Sequence, residues 1–125
     1  MNRKLLVITL TLAFAAMLYA QGDKSVKVSG FLIDNACAGS AKDIGTRAKG
    51  HSTSCALMDN CEKSGYSVVA DDNKVYKLDD KGNGNAAELL ANTKTQKGVK
   101  VAVEGTVEGD VLHVTKITEV ADAIN

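Results

Sequence analysis

Val99-Lys-Val101-Ala-Val103-Glu-Gly105-Thr-Val107 repeats with a period of two, its valines on one face and Lys100 and Glu104 on the other. Successive side chains of a strand point to opposite faces, so this alternation predicts a half-buried strand. Glu108-Gly109-Asp110 supplies a turn, and Val111-Leu-His-Val-Thr-Lys-Ile-Thr118 returns as the hairpin partner. The rest of the chain is read outward from this hairpin.

Upstream, Gly65-Tyr-Ser-Val-Val-Ala70 and Lys74-Val-Tyr-Lys-Leu-Asp79 flank Asp71-Asp72-Asn73, residues that tolerate the dihedrals of a tight turn. A second hairpin is expected there. Lys81-Gly-Asn-Gly84 breaks the chain, and Asn85-Ala-Ala-Glu88 approximates a capping box that starts a short helix through Asn92. Nearer the amino terminus, Val26-Lys-Val28-Ser-Gly30-Phe-Leu32-Ile-Asp34 alternates again, and Gly30 within it suggests a bulge or bend. Between Asn35 and Ser64 the pattern is irregular. Its first half reads as loop, and Cys55 to Lys63 reads as one short helix with an N-cap among Ser52, Thr53 and Ser54 and with Gly65 as terminator.

The order is strand, insertion, strand, strand, helix, strand, strand. It predicts a mainly β fold with short helices: a small five-stranded OB-like barrel whose cysteine-bearing insertion lies between strands one and two. A small β-sandwich or α+β sheet has the same elements and is the competing expectation. No repeat or linker divides residues 21–125, so one domain is expected there.

Residues 1–20 carry the pattern of a signal peptide. Asn2-Arg3-Lys4 is basic, Leu5 to Leu18 is apolar, and Leu18-Tyr19-Ala20 offers small-residue cleavage. The apolar core of about 14 residues falls short of the roughly 20 that span a bilayer. The expectation is export to the periplasm or beyond, with no stable membrane anchor after cleavage. Loss of Arg3 and Lys4 leaves 13 basic against 15 acidic residues, a net charge of 13 − 15 = −2 with neutral histidines. Nucleic-acid binding needs a clustered basic excess or a stacking platform, and the remaining aromatics are Phe31, Tyr66 and Tyr76. No nucleic-acid partner is expected.

Several of these residues together resemble a group of small exported bacterial proteins built as single OB-fold-like domains. They are Gly30-Phe-Leu-Ile-Asp34 before Cys37, His51-Ser-Thr-Ser-Cys55-Ala-Leu-Met58 and Cys61, Ser64-Gly65-Tyr66, Val75-Tyr-Lys-Leu-Asp79, and Val101-Ala-Val-Glu-Gly-Thr106. The resemblance spans nearly all of the mature chain and implies the fold and the exported address, without an activity.

The chemistry concentrates in Cys37-x13-His51-x3-Cys55-x5-Cys61. Three sulfurs and an imidazole are the ligand set of a closed Cys3His site. If a helix starts at His51, then His51, Cys55 and Met58 share a face, a nitrogen with soft sulfurs suited to copper(I) as well as zinc. Zinc, copper and iron are the candidate metals. The competing reading is structural. Three cysteines in an oxidising compartment suggest one disulfide and one free thiol. Cys55 and Cys61 on one continuous helix would rise about 9 Å apart, beyond the roughly 4.4–6.8 Å Cα separation of a bridge, which leaves Cys37 with Cys55 or Cys61. A third reading is a thiol-redox protein with Cys55, in a first helical turn, as the reactive thiol. His113 reads as a sheet-surface histidine. The chain has no G-x-S-x-G, C-x-x-C or phosphate loop. The leading reading is therefore a non-enzymatic binding or accessory protein of the bacterial envelope, with a metal or an envelope protein as partner.

Overall fold

A computed structural model describes residues 25–121. The expected signal peptide lies outside the described residues. Five strands pair in the order β1-β2-β3-β5-β4, and β4 returns to β1, so the mixed sheet closes on itself. The strands are β1 (Val26–Asp34), β2 (Tyr66–Ala70), β3 (Val75–Leu78), β4 (Lys100–Glu108) and β5 (Val111–Glu119). All ladders are antiparallel except β3 with β5, a parallel seam of Lys77 with Val111 and Leu78 with Leu112.

The alternating valines do what their period requires. Val101 and Val103 of β4 point inward with Val28 and Leu32 of β1, Val68 of β2, Leu78 of β3, and Leu112 and Val114 of β5. The β4–β5 ladder slips by one residue between Glu104 and Gly105, where a Cβ on Gly105 would run into the His113 carbonyl. Gly30 marks the changeover in β1, pairing with Ala70 on one side and Val101 on the other. Its expected irregularity proves to be a close approach: a Cβ there would strike the Val69 carbonyl.

One helix, α5 (Asp80–Asn92), joins β3 to β4 and adds Ala86 and Leu90 to the core. It starts at Asp80 rather than Asn85, because Asp79 caps it by accepting from the Gly82 amide at 2.9 Å. The expected break at Lys81–Gly84 is thus helical. Gly82 is required by packing, since a Cβ would meet the Val114 side chain and Leu78, whereas nothing lies within 4 Å of a Cβ on Gly84. Gly84→Ala should therefore stabilise the domain by about 0.5–1 kcal/mol, the usual helix-interior gain over glycine. Gly82→Ala should destabilise it. Urea midpoints of the two variants check the contrast.

Between β1 and β2 the chain forms four short helices: α1 (Asn35–Gly39), α2 (Ile44–Lys49), α3 (Thr53–Ala56) and α4 (Asp59–Lys63). The sequence predicts loop and a single helix for this insertion. Its first half is instead ordered by local caps, with Asp34 and Asp43 accepting from the Cys37 and Thr46 amides. It covers the outer face of the sheet, where Ile33, Val69 and Ala48 are buried with Phe31, Cys37, Ala38, Ile44 and Val75 against them. That cover explains why Leu32, Ile33 and Asp34 are consecutively buried: β1 is enclosed on both faces at this end. No described helix is long and apolar enough to cross a membrane.

Candidate functional site

The site grows from the end of β1. Asp34 is fully buried, and its carboxylate does two things. Oδ1 accepts from the Cys37 amide at 2.9 Å, which starts α1 and sets Cys37 in its first turn. Oδ2 lies 2.7 Å from His51 Nε2, and that histidine is buried too. Burial alone would raise the Asp34 pKa, but the Cys37 amide, the His51 hydrogen bond and the attraction of the imidazole together hold it below the usual carboxylate value.

His51 is fixed through its backbone as well. Its carbonyl accepts from the Gly98 amide at 3.0 Å, Ser52 bridges to Lys97, and the Thr53 amide donates to the Gln96 carbonyl at 2.9 Å. The insertion is thereby tied to the segment that enters β4. Ser52 caps α3 by accepting from the Cys55 amide at 3.2 Å. His51 therefore precedes the helix, and the shared face of His51, Cys55 and Met58 does not form.

Met58 has extended backbone, with ψ of 142°, and separates α3 from α4. This break corrects the expectation of one helix from Cys55 to Lys63, and with it the separation of about 9 Å that a continuous helix would impose. The chain turns back on itself, so the sulfurs of Cys37, Cys55 and Cys61 all lie within 4.8 Å of one another. All three cysteines are free thiols and only partly buried. Met58 is 59% exposed and belongs to no ligand cluster among the described residues.

The four expected ligands, joined by Asp34, thus fall into two triads that share Cys37. One is Cys37–Cys55–Cys61; the other is Asp34–Cys37–His51, again with ligand atoms within 4.8 Å of one another. Asp34 escapes a reading by residue type because it closes a strand pattern. Its signal is the spacing Asp34-x2-Cys37 across a strand end, the position of an N-cap.

The electrostatics favour the protonated form of Cys37 and Cys61. Burial raises the Cys37 pKa; a hydrogen bond with Arg47 opposes this, and the Asp34 charge adds to it. Cys61 is pushed up to about 11, by burial first and then by the Asp34 charge and the neighbouring thiols. Tyr66 supports the cluster from below, its hydroxyl donating to the Ala56 carbonyl at 2.8 Å. Burial, with the charges of Glu62 and Asp34, lifts its pKa to about 12. A phenol that titrates higher when folded stabilises the fold fully below its unfolded value of about 10. That contribution should disappear as pH rises from about 10 through 12. Urea midpoints across this range should fall for the parent and stay flatter for Tyr66→Phe.

His113 lies at the sheet surface as expected, with Nε2 3.1 Å from Glu108 and Nδ1 3.5 Å from Asp79. No protein-family model matches the chain, and no curated protein or solved structure matches it.

Proposed function

We propose that this chain is an exported, OB-like binding protein whose β1–β2 insertion holds a thiophilic transition-metal ion. The observation that carries the reading is the convergence of three thiols from three separate helices to within 4.8 Å of one another. A tetrahedral zinc–thiolate centre, with Zn–S near 2.3 Å, places its sulfurs about 3.8 Å apart, so the side chains need only contract slightly. Soft sulfur ligands suit copper(I) equally well. The OB-like assignment rests on the closed order β1-β2-β3-β5-β4 with its helix between the third and fourth strands. In such folds the loop joining the first two strands borders the ligand face.

In this reading Cys37, Cys55 and Cys61 bind as thiolates, and the ion displaces their protons. His51 lies beside Cys37 but outside the three-sulfur triad, and to supply a fourth position it would have to turn Nδ1 toward the ion, since Nε2 is held by Asp34 at 2.7 Å. Asp34 fixes the imidazole in the way carboxylates orient metal-binding histidines. The raised pKa values of Cys37 and Cys61 make those two slow nucleophiles as free thiols.

Titration of reduced protein with cadmium, followed by its thiolate charge-transfer absorption, tests this directly. One ion per chain is expected. Serine at Cys37, Cys55 or Cys61 should abolish the absorption or weaken binding beyond the roughly 10–100-fold typical of losing an outer-shell partner. Met58→Leu should leave binding unchanged. A reduced protein that takes up neither cadmium, zinc nor copper(I) would end the metal reading.

A further inference from the structure

We infer that the three-sulfur cluster is a two-state site, in which one internal disulfide and a bound metal exclude each other. The inference rests on the metal reading above and adds the chemistry that would control it.

Ligand arithmetic is the first argument. The cluster has three thiols, all within 4.8 Å of one another. Any disulfide consumes two of them and leaves one. A lone thiolate with His51 is half of the four-donor set of a structural zinc site, so the oxidised state has too few ligands to retain the ion.

Local mechanics is the second. The thiols sit on α1, α3 and α4, helices of five, four and five residues. Helices this short have little stability of their own and depend on their caps and packing. A disulfide needs its sulfurs about 2.05 Å apart, so two must approach from their present separation. Moving a one-turn helix or rotating a cysteine achieves that without disturbing the β ladders. The break at Met58 lets α3 and α4 move separately, and Met58 itself faces solvent.

The reaction needs an oxidant, and a small-molecule disulfide balances it. A cysteine of the cluster, as its thiolate, attacks one sulfur of the oxidant. The oxidant's S–S bond breaks, and one small thiolate leaves. A second cluster cysteine then attacks the cysteine sulfur of the mixed disulfide, the internal S–S bond forms, and the second small thiolate departs. The two protons lost by the cysteines end on the two small thiols. Two cysteines are oxidised and one small disulfide is reduced. Metal bound to the reduced state should oppose the exchange by mass action, since it occupies the attacking sulfurs.

The test treats metal-free reduced protein with oxidised glutathione, removes the excess, and reads intact mass, alkylatable thiols and cadmium absorption on one sample. The expected result is a mass lower by two hydrogens, one alkylatable thiol, no cadmium absorption, and full recovery of both thiols and absorption after a dithiol reductant. Cadmium-loaded protein should oxidise more slowly. Three alkylatable thiols after oxidation, a persistent glutathione adduct with two thiols still free, or cadmium absorption unchanged in the disulfide form would each overturn the inference while leaving metal binding intact. If the reduced protein never binds cadmium, the metal reading has failed and the coupling falls with it, whether or not a disulfide forms.

Discussion

Replacing Asp34 with alanine should cost the domain about 2–4 kcal/mol, the sum of a lost helix cap and of a buried hydrogen-bonding group left without its partner. The carboxylate has no exposure, and both of its oxygens are committed, one to the Cys37 amide at 2.9 Å and one to His51 Nε2 at 2.7 Å. Its removal leaves the start of α1 uncapped and a buried imidazole unpaired. The cap alone is worth about 1 kcal/mol; the rest comes from the orphaned ring. Asp34→Asn keeps an amide oxygen for the cap and should lose less. His51→Ala combined with Asp34→Ala should be less destabilising than the sum of the two, since each removes the same pair. Urea unfolding of the four proteins gives the cycle. A loss below about 1 kcal/mol for Asp34→Ala would show that the pair does not hold the insertion, since that is no more than a cap is worth.

The second large effect is expected at Gly30. Valine has a higher strand propensity than glycine, a preference worth up to about 1 kcal/mol, and a sequence argument alone would favour the change. Packing decides otherwise. β1 is paired on both sides here, and a Cβ would enter the Val69 carbonyl and crowd the Val68 side chain. Backbone in the middle of two ladders cannot swing aside. Overpacking typically costs about 1–3 kcal/mol and occasionally more, and a branched side chain adds to whatever alanine incurs. Gly30→Ala should lower the urea midpoint, and Gly30→Val should leave little folded protein by circular dichroism. Gly39→Ala is the control: nothing lies within 4 Å of a Cβ there, and its stability should change by no more than about 0.5 kcal/mol. A fully stable Gly30→Val variant would contradict the register.

The parts of the fold that can be read from sequence are those governed by side-chain period. Val101, Val103, Val28 and Leu32 face inward because a strand with one buried face has no other stable register. The insertion cannot be read in this way. Helices of four to six residues are too short to display a period, and Asp34 and Asp43, which start two of them, resemble ordinary turn residues in sequence, whereas Ser52 stands among the expected caps and does start a third. The beginning of α5 is hidden for a different reason: Gly82 and Gly84 lower helix propensity, and the tertiary contact of Gly82 with β5 is invisible locally. At the site, residue types point to the three cysteines and His51. Their division into two triads depends on the backbone break at Met58 and on the pairing of Asp34 with His51, which no local spacing specifies.

The parallel seam gives the sheet a clasp. Two residue pairs join β3 to β5, where the neighbouring antiparallel ladders are longer. Asp79 reinforces the join from the adjoining turn: its carboxylate accepts from the Gly82 amide of α5 and, at 3.3 Å, from the Val114 amide of β5. One side chain thus latches a helix and a strand across the shortest ladder of the ring. The domain should breathe by opening this clasp, with the Lys77 and Asp79 amides exchanging with solvent before those of β4. An opened ring bares unpaired edges on β3 and β5 that a second chain could occupy, so the same carboxylate that starts a helix also guards against strand exchange between molecules.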